Sequence, residues 1–235
     1  SHLRVGLTIP LKEAWAGTER TLSIRRHDAC DACAGSGARK GTSPETCGTC
    51  GGRGRVQRSQ GFFMMQSTCP ACRGAGQVIR DPCPRCRGGG LREVTADLRV
   101  RIPPGMPSGS QLRLAGEGEP GALGGPRGDL FVVVEVEDHP LFERDGDDLV
   151  CEMPITYSQA ALGARIDVPT LSGAAELEIP PGTQPGDVFR LRGLGMPSVH
   201  GHGQGHLLIR VALEVPRKVS TRQRELLEEL AGLDA

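Results

Sequence analysis

Ile102-Pro-Pro-Gly-Met-Pro-Ser-Gly-Ser-Gln-Leu-Arg-Leu-Ala-Gly-Glu-Gly118 and Ile179-Pro-Pro-Gly-Thr-Gln-Pro-Gly-Asp-Val-Phe-Arg-Leu-Arg-Gly-Leu-Gly195 are one passage written twice, 77 residues apart. Each leaves an apolar strand through a Pro-Pro-Gly turn, enters a second short strand and ends in a Gly-rich loop. The register then holds without a gap, so that Gly128-Asp-Leu-Phe-Val-Val-Val134 falls on Gly205-His-Leu-Leu-Ile-Arg-Val211. Upstream, Ile9 to Gly17 falls on Ile155 to Gly163, but at an offset of 146. The two offsets differ by 69 residues, which is the excess of chain in the first copy between Gly17 and Ile102. That excess is the cysteine-rich stretch from about 27 to 95, set into a loop of the first copy. A surface loop accepts such an insertion because closure entropy grows only slowly with length.

The duplicated body reads as β structure. Thr21-Leu-Ser-Ile24, Asp97-Leu-Arg-Val-Arg-Ile102 and Glu176-Leu-Glu-Ile179 alternate apolar and polar residues, the pattern of half-buried strands. Gly (34) and Pro (18) are abundant in the 235 residues while aromatics make up 3%, a balance that favours short strands and tight turns over long helices. The expected fold is mostly β: two tandem small β-sandwich domains, a cysteine-rich arm inserted in the first, and a short C-terminal helix. The boundaries expected are 1–26 with 91–138 for the first β-domain, 27–90 for the arm, 139–218 for the second β-domain and 219–235 for the helix. Asp138-His-Pro140 and Asp145-Gly146 read as connection and turn. Ser220-Thr-Arg-Gln223 resembles a capping box ahead of Leu226, Leu227, Leu230 and Leu233 at helical spacing. That apolar stripe could pack on its own domain or face a partner.

Charge and hydropathy exclude several roles. Twenty-eight basic side chains balance 28 acidic ones, so no net field draws the chain to nucleic acid or to an anionic membrane. No apolar run approaches the roughly 18 residues that span a bilayer, and there is no basic-then-apolar secretory signal, so a cytoplasmic location is expected. Ser1 and His2 read as a cloning remnant, and the chain enters the strand pattern Leu3, Val5, Leu7, Ile9 at once, so a preceding segment is expected.

Eight of the nine cysteines lie in four units: Cys30-Asp-Ala-Cys33-Ala-Gly-Ser-Gly37, Cys47-Gly-Thr-Cys50-Gly-Gly-Arg-Gly54, Cys69-Pro-Ala-Cys72-Arg-Gly-Ala-Gly76 and Cys83-Pro-Arg-Cys86-Arg-Gly-Gly-Gly90. One Cys-x-x-Cys pair says little; four with the same glycine placement specify metal knuckles in a reducing compartment. Each knuckle presents two thiolates from one side, and its glycines allow positive φ and close approach of the backbone to sulfur. Eight thiolates make two four-cysteine zinc sites with no open position, hence structural. Spacing alone leaves the pairing of knuckles open. Closing the neck of an insertion favours a nested arrangement, with Cys30, Cys33, Cys83 and Cys86 on one zinc and Cys47, Cys50, Cys69 and Cys72 on the other. Cys151, on the apolar stretch Leu149-Val-Cys-Glu-Met153, reads as a buried inert thiol.

The four units, Gln60-Gly-Phe-Phe63 between the second and third, the Ile-Pro-Pro-Gly segments, Leu114-Ala-Gly-Glu-Gly-Glu119 and Gly146-Asp-Asp-Leu-Val150 together resemble the zinc-containing class of DnaJ proteins over essentially the whole chain. The resemblance implies a first C-terminal β-domain carrying the zinc arm, a second β-domain and a dimerisation helix. It also implies nested pairing of the zinc ligands. In function it implies a co-chaperone that binds non-native polypeptides through exposed apolar segments, prevents their aggregation and delivers them to a DnaK-type ATP-dependent chaperone. The full-length protein would be a homodimer, with no specific nucleic acid or membrane among its partners. Family members take client peptides as an added strand on the first β-domain, one apolar side chain entering a pocket; the matching positions are Leu3, Leu22, Ile24, Leu98 and Val132. Periodicity alone allows these five to be ordinary core residues. The Cys47, Cys50, Cys69, Cys72 site corresponds to the part of the arm associated with client transfer. The family's J-domain motif His-Pro-Asp is missing, Asp138-His-Pro140 being a permutation of it, so client binding without stimulation of the partner's ATPase is expected. The tail stops at Ala235, which leaves dimerisation of this stretch open.

Two other readings compete. Cys-x-x-Cys pairs can cycle between dithiol and disulfide, which would make a zinc-modulated thiol–disulfide oxidoreductase; all-thiolate coordination argues against a free nucleophile. Zinc modules can also bind nucleic acid, and residues 27–92 hold ten Arg or Lys against four acids. Two four-thiolate centres, each formally −2, reduce that +6 to about +2, so a solvated basic face is the better account. The Gly-rich loop 115–129 lacks a phosphate-loop Lys and reads as a flexible connector, and His200, His202 and His206 read as exposed loop residues. No paired carboxylates or Ser/His/Asp set point to hydrolysis, and no enzymatic turnover is expected.

Overall fold

The computed structural model describes residues 1–60, 63–121, 125–199, 201 and 203–233. The first copy of the repeat opens with β1 (Leu3–Ile9), α1 (Leu11–Ala16) and β2 (Thr18–Ala29). The arm follows, with β3 (Glu45–Thr46), β4 (Arg55–Gln60), β5 (Phe63–Thr68) and β6 (Gln77–Val78). The copy closes with β7 (Leu91–Ile102), β8 (Ser110–Leu114) and β9 (Leu130–Val136). The second copy holds β10 (Glu143–Asp145), β11 (Asp148–Thr156), α2 (Tyr157–Leu162), β12 (Ala164–Thr170), β13 (Gly173–Ile179), β14 (Val188–Leu191) and β15 (Leu207–Glu214), with α3 (Thr221–Leu233) at the end.

The duplication seen in the sequence is a duplication of topology. In the first copy the strands pair as β1-β9-β8 and β2-β7; in the second their counterparts pair as β11-β15-β14 and β12-β13, with β10 added beside β11. β11 runs parallel to β15 from Leu149 opposite Leu207 to Thr156 opposite Glu214, and β14 is antiparallel to β15. In the first copy Leu3 donates to Asp129 and Glu137 donates to Ile9, the same parallel sense, while β8 and β9 pair antiparallel from Ser110 opposite Val134. In each copy one short helix follows the first strand in the chain, α1 joining β1 to β2 and α2 joining β11 to β12. The capping box of Thr156 and Gln159 starts α2, and Gly163 at φ 78° ends it, as Gly17 at φ 75° ends α1.

Alternation decides which side chains go inside. Leu130, Val132 and Val134 of β9 are fully buried, as are Leu207 and Ile209 of β15, while intervening residues stay partly open. Each such side chain contributes about 1.5–3 kcal/mol of burial. The chain forms two compact units: 1–7, 19–101 and 109–135 make up one, and 8–18, 102–108 and 136–235 the other. α1 and the first Pro-Pro-Gly turn therefore group with the second unit. There Gly105 donates to the Ala14 carbonyl, and Arg144 donates to the carbonyls of Gly105 and Met106 at 2.7 and 2.9 Å.

The arm grows from a hairpin. β12 and β13 are joined by the two-residue turn Leu171–Ser172, with Thr170 opposite Gly173. The counterparts β2 and β7 continue past the equivalent point, to 12 residues each against 7, and carry the cysteine segment on their far end.

Candidate metal centres and apolar pocket

Each cysteine unit turns on left-handed backbone at three of the four residues that follow its second cysteine. The residue after the second cysteine has positive φ in all four units, namely Ala34, Gly51, Arg73 and Arg87 at 50–57°. The next glycine (Gly35, Gly52, Gly74, Gly88) lies at 84–96° and the last (Gly37, Gly54, Gly76, Gly90) at 70–74°. The last glycine is thereby turned back so that its amide donates to the sulfur of the second cysteine, at 3.2–3.3 Å in every unit. An N–H aimed at sulfur favours the thiolate.

Knuckles join in pairs by exchanging backbone hydrogen bonds. Cys30 donates to the Gly90 carbonyl and Cys83 to that of Gly37, both at 2.8 Å; Cys47 donates to Gly76 and Cys69 to Gly54, both at 2.9 Å. So close is the approach that a Cβ on Gly37, Gly54, Gly76 or Gly90 would land on a carbonyl oxygen of the opposite knuckle. The exchange brings Cys30, Cys33, Cys83 and Cys86 together at the end of the β2–β7 ribbon. It brings Cys47, Cys50, Cys69 and Cys72 together at the root of the β4–β5 hairpin. Within each group the four sulfurs lie within 4.8 Å of one another. This is the nested grouping.

The sulfur spacing discriminates among chemistries. Cys33 and Cys86 are 3.7 Å apart, Cys47 and Cys69 3.9 Å, and Cys50 and Cys72 3.7 Å. A disulfide needs about 2.05 Å. A tetrahedron of sulfurs about 2.3 Å from a central ion has an edge of about 3.8 Å. Both groups are therefore positioned to bind a metal, and their donor set and spacing fit a tetrahedral thiolate site.

Electrostatics within the groups point the same way. Burial drives Cys30 and Cys50 up to about 11. At Cys33 and Cys47 burial also raises the thiol, but backbone amides and neighbouring thiols outweigh it and bring both down to about 7. Each group thus holds one thiol near ionisation beside one that resists it, and a cation is what allows all four to ionise together. In the outer group the cysteines are buried and Val56 and Val78 pack against them, a small core made of ligands.

The five apolar positions matched to a client pocket all lie in strands of the first copy. Leu3 is on β1, Leu22 and Ile24 on β2, Leu98 on β7 and Val132 on β9. Val132 is wholly buried and Ile24 is 4% exposed, whereas Leu3, Leu22 and Leu98 are half-buried. Exposed Ser23 of β2 donates its hydroxyl to Asp97 across the β2–β7 ribbon.

The remaining residues singled out in the sequence settle into supporting roles. Cys151 is buried on β11, with its thiol raised by burial. His206 caps two loops, donating its amide to Asp148 and accepting from Gly193 at Nδ1, while His200 and His202 lie outside the described residues. Gly61 and Phe62 of the Gln60-Gly-Phe-Phe63 stretch also lie outside them. The loop read as a flexible connector is pinned in its described parts. Arg127 bonds Asp28 and the His27 and Gly118 carbonyls, Arg26 pairs with Glu117, and Glu119 accepts from His27. Asp129 accepts from Gly116 and Arg113, and the Gly116 amide, then the Arg113 guanidinium, hold its carboxyl below the usual range. The pairings of Arg127 with Asp28 and His27, of Arg26 with Glu117 and of Glu119 with His27 join residues ninety or more positions apart, so no local pattern announces them; the Glu117-Gly-Glu119 alternation was the available signal.

Comparison with known proteins adds two findings. The family profile described as "DnaJ C terminal domain" matches residues 3–216. "Chaperone protein DnaJ" of Maridesulfovibrio salexigens is 52% identical over 234 residues, an alignment that takes in 100% of this chain and 63% of that relative. The chain thus spans less than two thirds of the length of the curated relative it matches.

Proposed function

Because the chain belongs to the DnaJ family, we propose that it is a non-enzymatic chaperone segment that holds non-native polypeptides and, within its full-length protein, passes them to a DnaK-type partner in the cytoplasm. The observation that carries this reading is the family match along almost the whole chain, together with 52% identity to a chaperone. In this reading residues 1–26 and 91–138 form the client-binding domain, 27–90 the zinc arm, 139–218 a second β-domain and 219–235 the start of a homodimerisation segment. Leu3, Leu22, Ile24, Leu98 and Val132 receive an apolar side chain of the client while its backbone pairs with a strand edge. Backbone hydrogen bonding is indifferent to sequence, and the pocket selects exposed apolar segments, so the combination suits a binder of many unfolded chains.

Two zinc ions are assigned to the arm, Cys30, Cys33, Cys83 and Cys86 holding one and Cys47, Cys50, Cys69 and Cys72 the other. Bound zinc would supply charge neutralisation to four thiolates and no catalysis, since no coordination position is left open. The chain's own part is to preset the ligands through the nine left-handed glycines of the knuckles. The outer group is the proposed element for transfer to the DnaK-type partner. The thiol–disulfide oxidoreductase reading is weaker because all eight thiols of the arm belong to a four-thiol group.

The test is protection of a chemically denatured reporter enzyme from aggregation. Leu22→Asp should abolish protection with metal content and folding unchanged, because Leu22 is half-buried and an aspartate can reach water. Ile24→Asp should abolish it as well, at some loss of stability, since Ile24 is 4% exposed and a charge there is desolvated. Equal protection by Leu22→Asp and the unaltered chain would remove the client site.

A further inference from the structure

Among the described residues, β2 and β7 pair only with each other, and this two-stranded ribbon carries both four-thiol groups on its far end. A ribbon without a third strand twists and bends readily. Immediately before the first cysteine, however, three consecutive residues of β2 are tied to the Gly-rich loop between β8 and β9. The Arg26 guanidinium pairs with Glu117, and the His27 amide and ring face the Glu119 carboxylate at 3.1–3.4 Å. Arg127 donates to the Asp28 carboxylate at 2.5 Å and to the His27 carbonyl at 3.1 Å. The loop is a firm anchor for these ties. Gly118 donates to Gly128 and Gly128 to Glu119, both at 2.9 Å, and Asp129 fastens the base to Gly116 and to Arg113 of β8.

The second copy supplies the control. At the offset of 77 its loop has the same base, Gly195 donating to Gly205 and Gly205 to Met196, again at 2.9 Å. It has no ribbon to hold, since β12 and β13 end at the Leu171–Ser172 turn. In place of Glu117, Glu119 and Arg127 it has Leu194, Met196 and Gln204, none of them charged. Gln204 still donates to the Gly195 carbonyl, as Arg127 does to that of Gly118, so the bond inside the loop is kept where the reach to a ribbon is lost. Folding the loop therefore does not require the three charges, and holding the ribbon accounts for them.

We infer that Glu117, Glu119 and Arg127 form an ionic latch that sets the direction in which the β2–β7 ribbon carries the cysteine arm. Three ties to three successive residues of β2 oppose both bending and twisting where the ribbon leaves the β-domain. Arg26, Asp28, Glu117, Glu119 and Arg127 keep 15–34% of their side-chain surface exposed, so water can take over their charges and the latch can open without unfolding the strands beneath it. Latched, the outer four-thiol group stands at one distance from the β-domain; released, it samples many. The latch stands on these contacts alone, and only its consequence, control over how the outer group meets a DnaK-type partner, rests on the function proposed above.

Spin labels carried by noncanonical residues at Gln57 of β4 and Gln111 of β8, both exposed, leave the cysteines untouched, and double electron–electron resonance then reads the spread of distances between arm and domain. The metal-loaded chain should give one narrow distribution. Arg127→Gln with Glu117→Leu and Glu119→Met, which gives the loop the residues of the second copy, should at least double the width while circular dichroism and metal content stay unchanged. Should that variant misfold, Arg127→Gln alone decides, since it keeps the bond inside the loop as Gln204 does and loses Asp28; it too should broaden the distribution. Arg99→Gln, which removes an exposed charge of β7 outside the latch, should leave the width as it was. A broad distribution in the unaltered chain, an unchanged width in the folded latch variants, or equal broadening by Arg99→Gln would overturn the inference. No reading here depends on peptide binding, so failure of the client-holding function would leave the latch standing.

Discussion

Gly54 and Gly48 stand in the same cysteine unit and differ in what a methyl group would do to each. Gly54 sits at φ 71°, its amide on the Cys50 sulfur, and a Cβ there would strike the Gly74 carbonyl oxygen of the facing knuckle. Left-handed backbone costs a residue with a Cβ about 1–2 kcal/mol, and the collision adds to it by forcing the two knuckles apart. At Gly48 a Cβ would meet nothing within 4 Å. Gly54→Ala should therefore lower bound zinc from two ions per chain to one, and Gly48→Ala should keep both, as read by elemental analysis of the purified protein. Asp129 permits a pH argument at the same scale. Its carboxyl is held low by the Gly116 amide and by Arg113, so its contribution is complete above the unfolded carboxylate pKa of about 3.9 and is lost as pH falls through the lower folded value. Asp129→Asn should thus be less stable than the unaltered chain at neutral pH in urea melts, with the difference vanishing in strong acid.

At the scale of elements, the strands of the body were legible because one face of each is buried and alternation records that fact. The insertion was legible because two repeat offsets disagree. What escaped was whatever lacks a one-sided environment or a local cause. α1 and α2 have six residues each, less than two turns, too short for a helical period to show. β2 and β7 extend well beyond the expected Thr21–Ile24 and Asp97–Ile102, into a stretch where Arg25, His27, Arg92 and Glu93 give no apolar stripe. Of the candidate site, the cysteine sets could be read from spacing and closure, while the amide-to-sulfur bonds and the left-handed turns at Arg73 and Arg87, residues with no preference for positive φ, arise only when facing knuckles pair. The insertion itself predicts a deletion. Replacing residues 25–95 with the Leu171-Ser172 turn leaves Thr18–Ile24 facing Ala96–Ile102 in the register that Ala164–Thr170 and Gly173–Ile179 already use. The shortened chain should fold with β-type circular dichroism and a melting temperature that a chelator does not change; failure to fold would mean that the arm is part of the core rather than an addition to it.

The whole molecule divides by what holds it together. In the body, large aliphatic side chains such as Ile9, Val100, Ile102, Leu149, Ile179 and Leu207 are fully buried, and hydrophobic burial suffices. Between residues 30 and 90, among the described residues, the buried apolar side chains are Ala38 and six of the cysteines. Six thiols and one methyl group cannot offset the conformational entropy of some sixty residues at about 1–2 kcal/mol each. Metal bound in the two four-thiol groups is the further stabilisation such an arm needs, added to the backbone hydrogen bonds of its knuckles and strands. Removing the metal should consequently melt the arm and leave the body standing. Treatment with a strong chelator under reducing conditions should collapse the amide NMR dispersion of residues 30–90 and open that stretch to trypsin, which has Arg53, Arg55, Arg58, Arg73, Arg80, Arg85 and Arg87 to cut, while the thermal transition of the β-domains persists. Acid should do the same, since protons compete with zinc for thiolates, and the arm should be lost at a higher pH than the body. An arm that keeps its dispersion after all metal is gone would show that the knuckle hydrogen bonds alone hold it, and the ions would then be passengers.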